Sequence, residues 1–105
     1  MKTKTIVTRY DSFCFYCGRP VETEHHLLFG TGMRQLAEKD GIKLPACGEH
    51  HVTGAVICRV HDNPMAERLS KIAGQLAWEK HCVAQGHSEE EARELFRKRY
   101  KESFL

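Results

Sequence analysis

Two short cysteine motifs constrain the fold of this chain more than any other feature. "CFYCG" begins at Cys14 and "CGEH" begins at Cys47, in a chain of only 105 residues. A turn of this kind offers two ligands to one ion, and two such turns complete the tetrahedral Cys3His set typical of structural zinc. A chain of this length buries a small core, which a bound metal reinforces. We therefore predict a structural zinc ion held by Cys14, Cys17, Cys47 and His50.

The chain contains five cysteines, and the expected compartment decides how they are interpreted. No apolar run is long enough to span a bilayer and no secretory signal is recognisable, so we expect a cytoplasmic protein. Disulfides are rare in that reducing environment, which favours metal binding. Cys58 is an alternative to His50 as the fourth zinc ligand. A redox dithiol of Cys14 and Cys17 is a weaker alternative, because it expects a βαβ context. Cys82 falls inside a predicted helix, where we expect a small buried side chain.

Helix and strand signals indicate a single α+β domain over residues 1–105. "GMRQLAEKDG" predicts a short helix between two glycines. Asn63 followed by Pro64 predicts the start of a long helix that ends at about residue 83. Its apolar face is predicted to contain Met65, Leu69, Ile72 and Leu76. Ser88 and Glu91 form a capping box that begins a C-terminal helix over about residues 88–104. Short strands are predicted at residues 26–29 and in "IKLPAC".

Three histidines stand out beside the cysteine motifs. His25 and His26 are adjacent in "ETEHHLLFG", and His51 directly follows the second motif. Neighbouring side chains of a strand point to opposite faces, so His25 and His26 cannot both bind one ion without a sharp bend. Glu24 is a candidate acceptor for one of the imidazoles. The spacing excludes C2H2 fingers, nucleotide deaminases and HExxH metalloproteases, whose patterns are absent.

The order of these motifs resembles that of the HNH endonucleases of the His-Me finger superfamily, particularly the small phage-type members. Their pattern is C-x-x-C, then D/H-H with a hydrophobic residue, then L-C-x-x-C-H. It maps here onto "CFYC", "HHL" and "ACGEHH", and the match covers roughly residues 14 to 61. The resemblance implies a small zinc-braced ββα-metal domain with additional C-terminal helices, its core over about residues 12–83. It also implies a phage or prophage protein in a bacterial host.

The resemblance further implies a metal-dependent DNA endonuclease or nickase that hydrolyses phosphodiester bonds. His26 would be the general base, while His25 and His51 would hold a divalent catalytic metal. His61 is a third ligand, a phosphate contact or a solvated loop histidine. Both implied ligands are imidazoles, so Mn2+, Co2+ or Ni2+ is expected to support more activity than Mg2+. The family's middle asparagine would fall near residues 41–42, whereas the only asparagine of this chain is Asn63.

The expected partner is DNA, and no membrane is expected to take part. The net charge of +2 permits a nucleic-acid partner without indicating one. Arg34 and Arg59 are candidate DNA contacts, and a plain helix surface is the alternative for Arg34. The rival function is a noncatalytic zinc module that binds nucleic acid or protein. Such a module has no need for the trio of His25, His26 and His51.

Overall fold

The computed structural model of the protein describes residues 4–15, 18–30, 32–47 and 63–105. Within these ranges the chain forms two strands and three helices, which confirms an α+β arrangement. In chain order they are β1 (Thr23–His26), α1 (Met33–Asp40), β2 (Lys43–Ala46), α2 (Pro64–Ala84) and α3 (Glu89–Tyr100). None of the helices in these ranges has both the length and the apolar character needed to cross a membrane.

The two strands pair antiparallel, and their register defines two faces of the sheet. His25 lies opposite Leu44, and His26 lies opposite Lys43. Side chains alternate along a strand, so Glu24, His26 and Lys43 share one face while His25 and Leu44 share the other. The predicted strand at residues 26–29 is wrong by three positions. Pairing ends at His26 because its partner strand begins directly after the turn that terminates α1.

Helix α1 lies between two glycines, as the sequence predicts. Gly32 and Gly41 both adopt left-handed backbone conformations, with φ of 81° and 74°. At Gly41 the N-terminal segment passes close by, and the backbone amide of Ile6 donates a 2.9 Å hydrogen bond to the Gly41 carbonyl. A Cβ at this position would lie 2.5 Å from the carbonyl oxygen of Lys4, so the crossing requires glycine.

Helix α2 begins as predicted but packs through a different face. The Asn63 side chain accepts from the Ala66 amide at 3.2 Å, and proline occupies the first helical position. Most of the predicted apolar face points outward, since Met65, Leu69 and Leu76 are exposed. The buried positions are Ser70, Gly74, Gln75, Glu79 and Cys82.

Gly74 explains why this face of α2 is the one that packs. A Cβ on Gly74 would lie 2.9 Å from Leu28 Cγ and 3.0 Å from Leu27 Cβ. Glycine therefore lets the helix backbone approach the chain just after β1 more closely than any larger residue would. This close approach brings the neighbouring Ser70 to the sheet, where its hydroxyl donates to the Leu27 carbonyl at 2.8 Å.

Helix α3 closes the hydrophobic core. Its capping box of Ser88 and Glu91 is present, which confirms the predicted start, and the helix ends at Tyr100. The buried apolar residues of the core are Leu27, Leu28, Ala37, Ile42, Leu44, Phe96 and Tyr100. Asp40, the last residue of α1, accepts hydrogen bonds from Trp78 of α2 and from Arg99 and Tyr100 of α3. One carboxylate thus connects α1, α2 and α3.

Candidate active site

The first cysteine of each motif is buried in the same small cluster. Cys14 and Cys47 are both buried and group with Ala46. Cys14 lies in a tight turn, in which its carbonyl accepts from the Gly18 amide at 2.9 Å. The Phe15 amide donates to the Pro45 carbonyl at 2.9 Å, which attaches this turn to β2. Two thiols from separate motifs, buried side by side, are the kind of donor set that zinc takes.

Several of the predicted site residues lie outside the described ranges, namely Cys17, His50, His51, Cys58, Arg59 and His61. In the part of the chain that the structure describes, no group of three or more histidine, cysteine, aspartate or glutamate side chains is placed to hold a metal ion. The described residues therefore contribute half of the predicted zinc set, Cys14 and Cys47, and one of the two predicted catalytic-metal ligands, His25.

His25 faces α2, and its surroundings determine which ring nitrogen carries the proton. Its side chain is buried, and Nε2 lies 2.9 Å from Ser70 Oγ. The Ser70 hydroxyl donates its single hydrogen to the Leu27 carbonyl, which can only accept. Ser70 Oγ must therefore accept from His25 Nε2–H. In the neutral ring the lone pair is then on Nδ1, the nitrogen that can ligate a metal.

His26 faces the opposite side of the sheet, towards α1. Its Nε2 lies 2.9 Å from Glu38 Oε1, and a carboxylate oxygen accepts that hydrogen bond. Arg34 Nε donates towards Nδ1 at 3.4 Å, a long contact that also requires Nδ1 to be an acceptor. Two independent contacts therefore assign the proton of neutral His26 to Nε2 and its lone pair to Nδ1.

A buried lysine lies directly beneath this pair. Lys43 is 1% exposed, and its ammonium donates to Glu38 Oε2 at 2.8 Å and to Glu24 Oε1 at 3.1 Å. Burial acts to lower the pKa of Lys43, but the hydrogen bonds and negative charges of the two glutamates outweigh it and raise that pKa above its usual value. The lysine is therefore a fixed positive charge between two carboxylates.

A second cation lies on the His25 side of the molecule. The rings of His25 and Phe29 are 5.8 Å apart, and Lys71 Nζ of α2 lies 4.8 Å from the centre of the Phe29 ring. Arg34 is beside His26. Each histidine thus has a basic residue in its neighbourhood, which is a favourable setting for a phosphate group.

The sequence predicted the two histidines, their opposite orientations and the cysteine pair, but it missed Glu38, Lys43 and Ser70. Lys43 could have been found from its position inside the otherwise apolar "IKLPAC". A buried lysine is rare unless it is paired, so this position indicates a charged partner. The sequence predicts Glu24 as a partner of one imidazole, whereas its described hydrogen bond is accepted from Lys43. Cys82 is buried as predicted.

Comparison of the chain with protein-family models, with curated proteins and with solved structures finds no match.

Proposed function

We propose that this chain is a metal-dependent DNA endonuclease or nickase, built on a zinc-braced ββα-metal domain. The observation that carries the proposal is the arrangement of the two adjacent histidines. Both are hydrogen-bonded at Nε2, one to Ser70 and one to Glu38, and they face opposite sides of β1. Each keeps its lone pair on Nδ1, which suits one ring to ligate a metal and the other to accept a proton.

His26 acts as the general base in this proposal. Its Nδ1 exchanges the long contact with Arg34 Nε for a water molecule and takes a proton from that water while the water oxygen attacks phosphorus. The bond from phosphorus to the 3′ oxygen breaks, and that oxygen takes a proton from solvent to become a hydroxyl. The products are a 5′-phosphate and a 3′-hydroxyl end. Glu38 accepts from Nε2–H throughout and stabilises the imidazolium that forms.

His25 and His51 would hold the catalytic metal. Ser70 orients His25 by accepting from Nε2, as partners of metal-bound histidines commonly do. When bound, a divalent ion stabilises negative charge on the phosphate and on the leaving oxygen. Arg34 and Lys71 supply positive charge on the two sides of the sheet, where they would attract the DNA backbone.

The test is cleavage of supercoiled plasmid DNA in the presence of Mn2+. Wild-type protein is expected to nick the plasmid, and His26→Ala is expected to lose at least about 100-fold in rate, the usual contribution of a general base. Circular dichroism and zinc content should stay unchanged, because His26 transfers a proton and is not a core residue. His87→Ala, an exposed histidine between α2 and α3, is the matched control and should nick like wild type.

Two outcomes would contradict the proposal in different ways. Wild-type rates in His26→Ala would mean that another group is the base, and His61 would be tested next. A well-folded wild-type protein that cuts no DNA with any divalent metal would favour the noncatalytic zinc module.

A further inference from the structure

We infer that Glu38, held in place by the buried Lys43, is the positioning residue that fixes the orientation and tautomer of His26. This inference rests on the proposed function, in which His26 is the base. It assigns the orienting role to a carboxylate on α1. The expected position of the family's middle asparagine, near residues 41–42, contains no asparagine in this chain. Glu38 can orient His26 only if it is itself held firmly.

Both oxygens of the Glu38 carboxylate are engaged by different partners. Oε1 accepts from His26 Nε2 at 2.9 Å, and Oε2 accepts from Lys43 Nζ at 2.8 Å. Rotation of the carboxylate would break both hydrogen bonds together. Because Lys43 is 1% exposed, water has little access to replace the carboxylate as its partner. The Lys43 ammonium therefore restrains the Glu38 carboxylate, and the carboxylate in turn restrains the His26 ring.

The helix that carries Glu38 is also anchored. Two residues further along, Asp40 accepts from Trp78 Nε1 at 2.9 Å and from Tyr100 Oη at 2.8 Å. Arg99 adds a bidentate pair, with both nitrogens at 2.7 Å from the Asp40 oxygens. The C-terminal half of α1 is thus tied to α2 and α3, so the position of Glu38 relative to the sheet is defined by the core of the protein.

The register of the sheet completes the arrangement. Lys43 lies directly opposite His26 on the paired strand, and the two side chains share one face. Glu38 reaches both from above that face. His26 is therefore held by Glu38 at Nε2, which sets its ring plane and directs Nδ1 away from the Glu38 carboxylate, towards the long contact with Arg34 Nε at 3.4 Å. When neutral His26 is restricted to one tautomer, its lone pair is always on Nδ1, so the base can always accept the proton there.

The experiment compares Glu38→Ala and Glu38→Gln in the full-length, zinc-loaded protein. The first readout is the NMR signal of the His26 Nε2–H proton at pH 8, identified by its absence in His26→Ala. A hydrogen-bonded imidazole N–H is protected from exchange, so wild type should show the signal. Glu38→Ala should lose it. Glu38→Gln keeps an acceptor oxygen at this position and should retain it at least in part.

The second readout is the kinetics of plasmid nicking. Glu38→Ala is expected to lower kcat by about 10- to 100-fold with little change in KM, the range usual for partners of functional histidines. Glu38→Gln should recover part of that loss. Glu24→Gln is the matched control, because it also removes a charged partner of Lys43, and it should stay within about twofold of wild type in kcat.

The two readouts separate the failure of this inference from the failure of the proposed function. A wild-type protein without nuclease activity would overturn the function, while the NMR signal would still test the contact. An Nε2–H signal that survives Glu38→Ala, or a kcat unchanged in that variant, would overturn the positioning role. An equal loss of kcat in Glu24→Gln would also overturn it, since the effect would then belong to Lys43 and not to the contact with His26.

Discussion

At the scale of single residues, the unusual feature is a fully buried lysine beside two adjacent histidines. A buried ammonium is costly unless it is paired, and removal of one partner of a buried pair typically costs about 3–5 kcal/mol. Lys43 has two carboxylate partners, Glu24 and Glu38, so its charge remains compensated when either one is replaced by glutamine. The pairing therefore keeps the cation in the fold and at the same time fixes the side chain that contacts His26.

The prediction for His25 concerns which metal the proposed catalytic site prefers. Magnesium prefers hard oxygen ligands. Imidazole binds cobalt and nickel well, manganese less strongly, and magnesium least of the four. We expect more nicking with Mn2+, Co2+ or Ni2+ than with Mg2+ at equal concentration, and a shift towards Mg2+ in His25→Asp. The measurement is the initial nicking rate of both proteins across the four metals.

Excess zinc is the control for inhibition by a tightly bound ion, and it should suppress cleavage. Full activity with Mg2+ alone, together with an unchanged metal profile in His25→Asp, would mean that His25 is not a ligand. In that case Ser70 would hold His25 for a structural reason only.

Among the secondary-structure elements, strand β1 is the one that directs the two adjacent histidines to opposite faces of the sheet. One residue step along the strand moves the side chain from the α2 side to the α1 side. Helix α2 contributes Ser70 on one side, and α1 contributes Glu38 on the other. Two different helices therefore determine the chemistry of two neighbouring residues, and α3 anchors both helices through Asp40.

Tyr100 gives a prediction about how these helices respond to pH. Burial raises the pKa of Tyr100 well above its usual range, and the hydrogen bond to Asp40 raises it further, although Arg99 opposes the shift. The folded protein therefore keeps the phenol protonated above pH 10, where the unfolded chain releases that proton. The stability linked to Tyr100 is fully present below about pH 10 and is lost as the pH rises above it, by up to about 1.4 kcal/mol per pH unit.

The measurement is urea unfolding of wild type and Tyr100→Phe at pH 8, 10 and 11. At pH 8 the variant should be less stable by about 1 kcal/mol, because Asp40 loses one hydrogen bond. The difference should shrink or reverse as the pH rises. Tyr10→Phe is the control, since Tyr10 is 66% exposed, and its unfolding should follow wild type at every pH. Parallel curves for wild type and Tyr100→Phe would contradict the linkage.

At the scale of the whole molecule, the sheet is supported from two ends. At one end the core of α2 and α3 packs against the chain that follows β1, centred on Phe96 and Tyr100. At the other end the Cys14 turn is attached to β2 and buries Cys14 against Cys47. Among the described residues, this second cluster consists of Cys14, Ala46 and Cys47. The predicted zinc ion would bind at this end of the sheet.

The corresponding prediction is that the purified protein carries about one tightly held zinc ion and that Cys14→Ser loses it and unfolds. Zinc binding in small domains contributes about 10–16 kcal/mol, comparable to the entire stability of a domain this size. Metal analysis by mass spectrometry and circular dichroism are the measurements. Cys82→Ala, which replaces a buried thiol in α2, is the matched control and should keep its zinc. A well-folded preparation without zinc would refute the prediction.

Several parts of this structure depend only on residues that are close together in the chain, and these parts were predictable from the sequence. The Asn63–Pro64 helix start, the Ser88 capping box and the glycines around α1 are all local signals, and each was confirmed where predicted. Strand alternation likewise assigned His25 and His26 to opposite faces before any partner was known. These features involve hydrogen bonds and backbone conformations within a few residues, so periodicity and residue type are sufficient to find them.

Contacts between residues that are far apart in the chain depend on the three-dimensional packing and were not predictable from local patterns. Glu38 lies 12 residues from His26, and Ser70 lies 45 residues from His25, separations at which no local pattern operates. The face of α2 that packs was also decided there, because the close approach at Gly74 outweighed the apolar pattern of Met65, Leu69 and Leu76. Burial of Lys43 became favourable only once strand pairing and α1 had brought two carboxylates to its ammonium.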